Sequence, residues 1–513
     1  MKFTQNSLVI LALGLAIGAQ AAPSAPKYKL EIITGLGITG GRATGISSNG
    51  VVVGVVNTGG ATTAPMLFDG SAKVVSVPSG FTNVIPTGVN GSGRISGYGT
   101  KSLGGSSSTT TALYWTSFNT TPVQILPFDG YTTGKSWLND VNDSSLTVGA
   151  ANGWMVNNVN TINMQAMYYN APANQKVNFQ NLTGSATGYA NFNAINDQGM
   201  MVGSSLAGDG KTHGVYRYGS SLTLVTDPAG TTNGAELTDA NNFFNMVGTS
   251  WASVSQSRAF YRTQFGTPVF IPRTSPASGD DANNAQSIND NGYVVGQCEE
   301  GTRGLRGYIW DGTNSYSLNG VIQNLGGNSI VNATEINDRN EIAATVRNAA
   351  GVDFAAKLTP YQTISLQLNL GDWSASPHTV ECTWEIRNDT NVLVDSGTFT
   401  PNILGGATIE TSFSGLGTLR VKPSHWLSKH LVLNTDFFES VSGTMNFLNG
   451  DIDKDNEVSI LDYLMLSGDF EKDSSMPGWS LPDGASRSDL DGDNVVSILD
   501  YLILSSNFEK SGE

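Results

Sequence analysis

Ile195-Asn196-Asp197-Gln198-Gly199, followed by Val202-Gly203, is one copy of a pattern that recurs every 43 to 54 residues between residues 28 and 360. Each copy has an apolar residue, usually Asn, often Asp and Gly, and then a short apolar run that ends in Gly. Asn, Asp and Gly between two β-branched runs are typical of a tight hairpin turn. The copies are centred on Ile46, Val89, Val141, Ile195, Ala240, Ile288 and Ile336, and the last is degenerate at its end.

An aromatic or apolar run follows most of these turns and predicts a third strand in each unit. Such runs lie at 66–68, 113–115, 167–169, 215–216, 260–261 and 308–310. The apolar residues before the next unit imply a fourth strand. Four short strands in a unit of this length are typical of a propeller blade. The pattern therefore predicts a mostly β fold with a β-propeller over 28–360, of about seven blades, or six with an irregular closure.

The repeats resemble the HAF-type repeats of extracellular bacterial proteins, and that resemblance implies a fold more than an activity. Asp143, Asp197, Asp290 and Asp338 occupy one position in successive copies. A residue that recurs from unit to unit most often serves the unit, so we expect these side chains to form turns. The aromatic residues are interpreted as core between blades in preference to a sugar-stacking platform.

A second repeat lies near the C-terminus. Asp451-Ile452-Asp453-Lys454-Asp455-Asn456 returns 38 residues later as Asp489-Leu490-Asp491-Gly492-Asp493-Asn494, and each copy has Asp at positions 1, 3, 5 and 12. Four carboxylates in so short a loop repel one another unless a cation lies between them. Ca²⁺ takes six to eight oxygen ligands and has this spacing in EF-hand loops.

The spacing predicts two bound Ca²⁺ ions. Asn456 and Asn494 stand at position 6, where Gly is usual, and Asn tolerates the left-handed conformation that this turn needs. The expected ligands, with Glu457 and Val495 acting through their backbone carbonyls, are Asp451, Asp453, Asp455, Glu457, Ser459 and Asp462 in the first loop, and Asp489, Asp491, Asp493, Val495, Ser497 and Asp500 in the second.

Residues 448–513 resemble a type I dockerin, with two loop–helix units, Asp at position 12 and an internal duplication. The resemblance implies an α-helical module that folds with Ca²⁺ and docks onto a cohesin-like protein, often within polysaccharide-degrading assemblies. It also implies that positions 10 and 11 face the partner. These are Ile460, Leu461, Ile498 and Leu499, which are apolar where the family is often hydroxylated. A calcium-stapled module without a partner is the alternative.

Between these two regions, residues 361–447 lose the repeat. The stretches 363–370, 379–387, 392–399, 408–413, 418–422 and 442–448 alternate in the manner of strands. They predict a small β-sandwich of Ig-like or transthyretin-like kind. His425 and His430 flank Trp426, and we interpret this segment as a loop around a buried Trp in preference to a metal site.

The N-terminus predicts secretion. Lys2, the apolar run 8–17 and Ala19-Gln20-Ala21 are typical of a signal peptide over 1–21. No later segment is long and apolar enough to span a membrane. The net charge is −16 and 15 of the acidic residues lie in 451–513, while no basic patch suits nucleic acid. Cys298 and Cys382 are expected to be buried free thiols, although a disulfide bond is the alternative.

No nucleophile elbow, HExxH sequence or phosphate-binding loop is present, so no residue is assigned as catalytic. The sequence therefore favours a secreted, non-catalytic binding or display propeller carried by a docking module. The alternative is a component of polysaccharide degradation, as a glycoside hydrolase or a carbohydrate-binding protein. An inward-facing Asp/Glu pair about 5–10 Å apart in the propeller channel would favour that alternative.

Overall fold

The computed structural model describes residues 25–513 except 60–62, 129–133, 153–154, 157–158, 161–163, 180, 184–187, 220–221, 229–230, 254–255, 275–281, 436–437, 439 and 482–483. The predicted signal peptide lies outside the described residues. Strands make up 51% of the chain and helices 7%, which confirms a mostly β fold. Pro26–Tyr361 and Gln362–Glu513 form two compact units.

The described residues of the Pro26–Tyr361 unit form seven four-stranded antiparallel sheets. After β1 (Tyr28–Ile32), the first sheet contains β2 (Gly40–Ile46), β3 (Val52–Asn57), β4 (Thr63–Phe68) and β5 (Ala72–Val74). The second contains β6 (Phe81–Val89), β7 (Ile95–Gly104), β8 (Ser107–Trp115) and β9 (Val123–Ile125). The third contains β10 (Ser136–Val141), β11 (Leu146–Ala151), β14 (Gln165–Asn170) and β15 (Gln175–Asn178), and the hairpin of β12 (Met155–Val156) and β13 (Val159–Asn160) interrupts it.

The next three sheets again use four strands in chain order, because a short connection joins each strand to the next. The fourth contains β16 (Ala190–Ile195), β17 (Met201–Leu206), β18 (Thr212–Arg217) and β19 (Leu222–Leu224). The fifth contains β20 (Ala235–Ala240), β21 (Met246–Ser253), β22 (Gln256–Arg262) and β23 (Val269–Phe270). The sixth contains β24 (Asn283–Ile288), β25 (Val294–Glu299), β26 (Leu305–Trp310) and β27 (Ser315–Ser317), and the short helix α1 (Leu318–Val321) follows it.

The seventh sheet closes a ring. It contains β28 (Ser329–Ile336), β29 (Ile342–Arg347) and β30 (Asp353–Pro360), and β1 pairs antiparallel with β30, so that Leu30 lies opposite Leu358. Val56 of the first sheet and Ala355 of the seventh share one buried apolar cluster, and similar clusters join each sheet to the next from the first to the sixth. This is the arrangement of a β-propeller, and among the described residues it has seven blades.

The recurring Asn explains how the blades are joined. Asn196 Oδ1 accepts a hydrogen bond from Met200 N at 2.8 Å and so closes its own turn, in which Gly199 has a φ of 80°. Its Nδ2 donates to the carbonyl oxygen of Asn241 in the next blade, at 2.7 Å. The same side chain-to-backbone bond joins Asn90 to Asn142, Asn142 to Asn196, Asn241 to Asn289, Asn289 to Asn337, and Asn337 to Ser47.

In the Gln362–Glu513 unit, two sheets share one apolar core. One sheet has the order β34-β31-β37 and the other β33-β32-β35-β36. The strands are β31 (Gln362–Leu370), β32 (Cys382–Asn388), β33 (Leu393–Phe399), β34 (Gly406–Thr411), β35 (Gly415–Pro423), β36 (Lys429–Thr435) and β37 (Ser440–Phe447). Ile364, Leu419 and Trp426 lie in the core between them.

Strand β36 was absent from the sequence-based prediction, which placed a loop over 424–430 and assigned no strand at 429–435. Leu433 is fully buried while Val432 is 76% exposed, which is the alternation of a strand with one face on the core. The polar residues before it concealed this pattern. Trp426 is fully buried, as predicted.

Two helices follow near the C-terminus, α2 (Ile460–Asp469) and α3 (Ile498–Ser506). Each begins with a capping box, in which Ser459 and Asp462, or Ser497 and Asp500, satisfy the first backbone N–H groups. Leu466 and Leu504 pack with Leu427, which lies between β35 and β36, in one buried cluster. In the part of the chain that the structure describes, no helix has the length and apolar character needed to cross a membrane.

Candidate metal centre in the C-terminal loops

Three carboxylates of the first loop converge. Oxygens of Asp451, Asp453 and Asp462 lie within 4.8 Å of one another, and Asp451 and Asp462 are fully buried. Burial raises the pKa of the Asp451 and Asp453 carboxyls. Buried carboxylates at this distance repel one another, so the arrangement favours a bound cation.

Asp462, at position 12, is held over the loop by backbone donors. Its Oδ1 accepts from Ile452 N at 2.7 Å and from Asp453 N at 3.0 Å, while its Oδ2 accepts from Ser459 N at 2.7 Å. The first bonds tie the carboxylate to the start of the loop, and the last caps α2. One side chain therefore fixes the loop and the helix to each other.

Asp451 provides a test of whether a cation fits. Its Oδ2 accepts from Asn456 N at 3.1 Å and contacts Lys422 Nζ. Its Oδ1 is buried and has no hydrogen-bond partner among the described residues. A buried carboxylate oxygen without a partner is costly, and a hard cation between the converging carboxylates would supply one. The residues present therefore fit Ca²⁺.

The sharp turn at position 6 forms with Asn in place of Gly. Asn456 has a φ of 74° and Asn494 a φ of 71°, both in the left-handed region. The Asn456 side chain has a further role, because its Oδ1 accepts from Ser428 N at 2.8 Å. Glycine could not make this contact with the sheets.

The second loop repeats this arrangement with one difference. Oxygens of Asp489, Asp491 and Asp493 lie within 4.8 Å of one another. The third member of this group is therefore the Asp at position 5, whereas in the first loop it is the Asp at position 12. Asp500 is fully buried and accepts from Leu490 N at 2.5 Å and from Ser497 N at 2.7 Å. Burial raises the pKa of Asp489 to about 6.

The remaining expected ligands have other contacts. Asp455 Oδ1 accepts from Glu457 N at 2.9 Å, and the hydroxyls of Ser459 and Ser497 accept from Leu461 N and Leu499 N at 3.1 Å. These serine hydroxyls cap the helices, which the loop spacing did not predict. Each position 7 residue forms an isolated antiparallel β-bridge: Glu457 pairs with Ser511, and Val495 pairs with Asp473.

Each loop also contacts the sheets of its unit. Lys422 Nζ, which contacts Asp451, donates to Trp426 O at 2.9 Å. In the second loop, Ser374 donates to Asp491 O from its N at 2.8 Å and from its Oγ at 2.6 Å. The Trp373 ring lies so close to Gly492 that a Cβ there would come within 2.8 Å of it. These contacts make the loops and the sheets one packed body.

The residues expected to face a partner lie at the surface. Ile460 and Ile498 are each 56% exposed, Leu461 is 52% exposed and Leu499 is 51% exposed. Tyr463 and Tyr501 join the two helices through an edge-on ring contact with centroids 6.0 Å apart. The helices therefore present apolar side chains to solvent on both repeats. Their role in docking stays a prediction.

The remaining His and Cys residues of interest have structural surroundings. His425 stacks on Trp426 with ring centroids 4.0 Å apart, its Nδ1 lies 2.7 Å from Asn449 Oδ1, and burial lowers its pKa to about 4. This agrees with a buried aromatic loop. Cys298 and Cys382 are buried free thiols, one in each unit.

In the ring unit, three carboxylates that the sequence analysis missed line one channel. Asp140, Asp239 and Glu335 border two cavities of about 130 Å³ and about 110 Å³. Each lies two residues before the recurring Asn and directly after a bulge in the first strand of its blade. The other blades have small residues there, namely Gly45, Gly88, Ala194 and Ser287. An alignment of the repeats at this position would have revealed the acids.

These carboxylates accept backbone hydrogen bonds from the next blade. Ile195 N donates to Asp140 Oδ2 at 2.9 Å, Ile288 N to Asp239 Oδ2 at 2.9 Å, and Ile46 N to Glu335 Oε2 at 2.8 Å. Burial raises the pKa of Asp140 to about 7, with the Asp239 charge adding to the effect, and raises that of Glu335 well above its ordinary value.

The recurring Asp residues also join blades. Gly91 N donates to Asp143 Oδ1 at 2.7 Å, Asp143 N to Asp197 Oδ1 at 2.8 Å, and Asp290 N to Asp338 Oδ1 at 2.8 Å. Each of these carboxylates therefore accepts from the turn of the preceding blade. The sequence analysis expected these side chains to form turns, whereas the bonds described here run between the turns of neighbouring blades.

No family model and no curated protein sequence matches the chain. Among solved structures, an interface mutant of a type II cohesin–X-dockerin complex from Acetivibrio cellulolyticus is 19% identical, with a TM-score of 0.24, and covers 29% of this chain and 97% of that one. A prolyl endopeptidase is 11% identical, with a TM-score of 0.37, and covers 77% of this chain and 47% of that one. A TolB protein from Agrobacterium tumefaciens is 12% identical, with a TM-score of 0.32, and the match covers 66% of this chain and 100% of that one. Likenesses this low assign no function.

Proposed function

We propose that the chain is a secreted calcium-binding protein in which residues 448–513 form a dockerin-like module with two Ca²⁺ ions, and in which the ring is a non-catalytic binding or display platform. The observation that carries the proposal is the buried Asp451 Oδ1, which has no hydrogen-bond partner among the described residues and belongs to one of three converging carboxylates. Ca²⁺ would supply the missing partner and neutralise the repulsion.

The docking half of the proposal rests on the helix surfaces. Exposed Ile and Leu side chains on α2 and α3 form an apolar surface of a kind that marks interaction sites. The duplication gives the two helices near-equivalent side chains, which suits a partner that binds either way round. By its resemblance to type I dockerins, a cohesin-like protein is the partner that we propose.

Calorimetric titration of the full chain with Ca²⁺ tests the metal half. We expect two sites per chain, and none in the presence of excess chelator. Terbium, which replaces calcium in oxygen sites, should give luminescence on tryptophan excitation because Trp373 lies against Gly492 of the second loop. The proposal would be wrong if the chain bound neither Ca²⁺ nor terbium.

The alternative is a role in polysaccharide degradation, and the channel carboxylates are the observation in its favour. Asp140 and Glu335 line a common channel, and both have a raised pKa, as a general acid requires. Two features weigh against it. The cavities, of about 130 Å³ and about 110 Å³, are small beside the roughly 300–1,000 Å³ of most ligand pockets. Both carboxylates are also engaged by backbone N–H groups.

A polysaccharide array distinguishes the two functions. The full chain is incubated with each polysaccharide, and both binding and released reducing ends are measured. Cleavage that Asp140→Asn and Glu335→Gln each abolish would favour the alternative. Binding without cleavage would favour the display platform, with a polysaccharide as its ligand.

A further inference from the structure

We propose that Lys422 makes the two calcium loops unequal, so that the second loop binds Ca²⁺ more tightly and is filled first. This rests on the proposed calcium binding and adds an order to it. The loops differ in charge at two positions, where the first has Lys454 and Glu457 and the second has Gly492 and Val495, and these two changes cancel in net charge. The remaining difference in charge comes from the sheet against which the loops pack. Lys422 lies on β35, outside both loops.

In the first loop, a fixed positive charge lies on a metal ligand. Lys422 Nζ contacts Asp451 Oδ2, and its second bond, to Trp426 O at 2.9 Å, holds it there. The lysine side chain is 16% exposed, so water screens its charge poorly. A cation that binds Asp451 through the free Oδ1 must therefore share this carboxylate with an ammonium group.

In the second loop, the sheets supply neutral groups. The oxygens of Asp489 accept from Gly492 N at 2.9 Å and from Asn494 N at 3.0 Å. The contacts from the residues next to the sheets include the Trp373 ring against Gly492, the two bonds from Ser374 to Asp491 O, and a bond from Asn449 Nδ2 to Leu490 O at 2.5 Å. These contacts hold the loop in place without reducing its negative charge.

The size of the difference follows from Coulomb's law. A positive charge about 5 Å from a divalent ion weakens its binding by about tenfold even at the dielectric constant of water, and by more where the pair is buried. The same ammonium offsets the repulsion between Asp451 and Asp462 when no metal is bound. Lys422 thus stabilises the first loop without metal and competes with the metal.

A second effect of Lys422 has the opposite sign. By binding Asp451 Oδ2, the lysine also fixes the orientation of this carboxylate, whose Oδ1 has no hydrogen-bond partner among the described residues. Were orientation dominant, removal of the lysine would weaken the first site. The sign of the change in affinity therefore decides between the two effects.

The experiment is calorimetric titration of the full chain with Ca²⁺, with each loop isolated by a variant of the other. Asp500→Asn leaves the first loop, and Asp462→Asn leaves the second. We expect the second loop alone to bind about tenfold more tightly than the first. Equal affinities, or a tighter first loop, would overturn the inference and leave the proposed calcium binding intact, whereas no binding by either loop would remove both.

Lys422→Met, made in the Asp500→Asn chain, should raise the affinity of the first loop by about tenfold. Lys454→Met is the matched control, because Lys454 is an exposed residue of the same loop and should change the affinity less. A weaker first loop in Lys422→Met would show that orientation dominates and would overturn the inference. Circular dichroism checks that each variant folds, and Lys422→Gln, which keeps a donor to Trp426 O, replaces the Met variant if it does not. The comparison of the two isolated loops tests the inference without any change at Lys422.

Discussion

The side-chain nitrogen of Asn289 lies 2.8 Å from the carbonyl oxygen of Asn337 and donates a hydrogen bond to it from one blade to the next. Both residues are buried. Because each recurring Asn except the last donates to its counterpart in the following blade, and Asn337 donates to Ser47, the turns form a nearly continuous belt around the channel. The belt explains why the repeat retains Asn when its other positions vary within this chain.

Asn289→Ala should lower the free energy of unfolding by about 3 kcal/mol. The variant removes two buried hydrogen bonds, the one that Asn289 Oδ1 accepts from Tyr293 N and the one that its Nδ2 donates to Asn337 O. Chemical denaturation followed by circular dichroism measures the change. Asn119→Ala, at an exposed loop residue, is the control and should change the free energy by less than about 0.5 kcal/mol. Equal effects of the two variants would contradict a structural role for the belt.

Asp462→Asn and Asp500→Asn should each remove one Ca²⁺ from the calorimetric stoichiometry. Position 12 closes the coordination shell of such loops, and Asn keeps the size of the side chain but lacks the charge. Glu509→Gln removes one charge at an exposed residue of the same module and should leave both sites. Loss of a site in this control would mean that net charge, and not ligation, governs binding.

Substitution of the exposed apolar residues should weaken docking in a stepwise manner. Ile460→Ser with Leu461→Ser leaves the second helix available, so binding to a panel of recombinant cohesin domains should change little. Ile498→Ser and Leu499→Ser, added to these, should abolish binding and leave calcium stoichiometry unchanged. Surface plasmon resonance measures the first and calorimetry the second. Unchanged binding by the fourfold variant would exclude this face.

The channel carboxylates predict a pH dependence of stability. Burial raises the pKa of Asp140 to about 7 in the folded chain, whereas an unfolded Asp has a pKa of about 4. The folded state therefore binds the proton more tightly, and this contribution to the free energy of unfolding falls as pH rises from about 4 to about 7. Asp140→Asn should flatten the profile of urea midpoint against pH over that window. Asp69→Asn, in an exposed ion pair with Lys73, should leave the slope unchanged, and a steeper slope in Asp140→Asn would contradict the assignment.

Local patterns predicted much of the fold, because the features they describe are local. The Asn-Asp-Gly turns and the aromatic runs lie within one blade, and they indicated the four-stranded unit. The number of blades depended on the pairing of β1 with β30, which no local pattern contains. Strand β36 was missed because its Leu431 and Leu433 follow a run of polar residues that indicated a loop.

The candidate site, like the fold, was predicted from sequence only where its features are local. The spacing of Asp451, Asp453 and Asp462 gave a testable set of ligands, and the structure brings those three together. The contact of Lys422 with Asp451 joins residues that are distant in sequence, and only the packing of the helices on the sheets creates it. The channel acids are equivalent to Gly, Ala or Ser in the other blades, so the repeat consensus excluded them.

The closing pair of strands sets the order in which the ring can be completed. The Tyr28 hydroxyl donates to the carbonyl of Asn340 at 3.0 Å, 312 residues further along the chain. The first strand of the ring therefore cannot pair with β30 until more than 300 further residues have been synthesised, and such long-range pairing is slow. Until β1 pairs with it, the edge of β30 is open to Tyr28–Ile32 of a second copy as well as to that of its own chain. Exchange of the first strand between two nascent molecules is the misassembly to which this topology is most exposed.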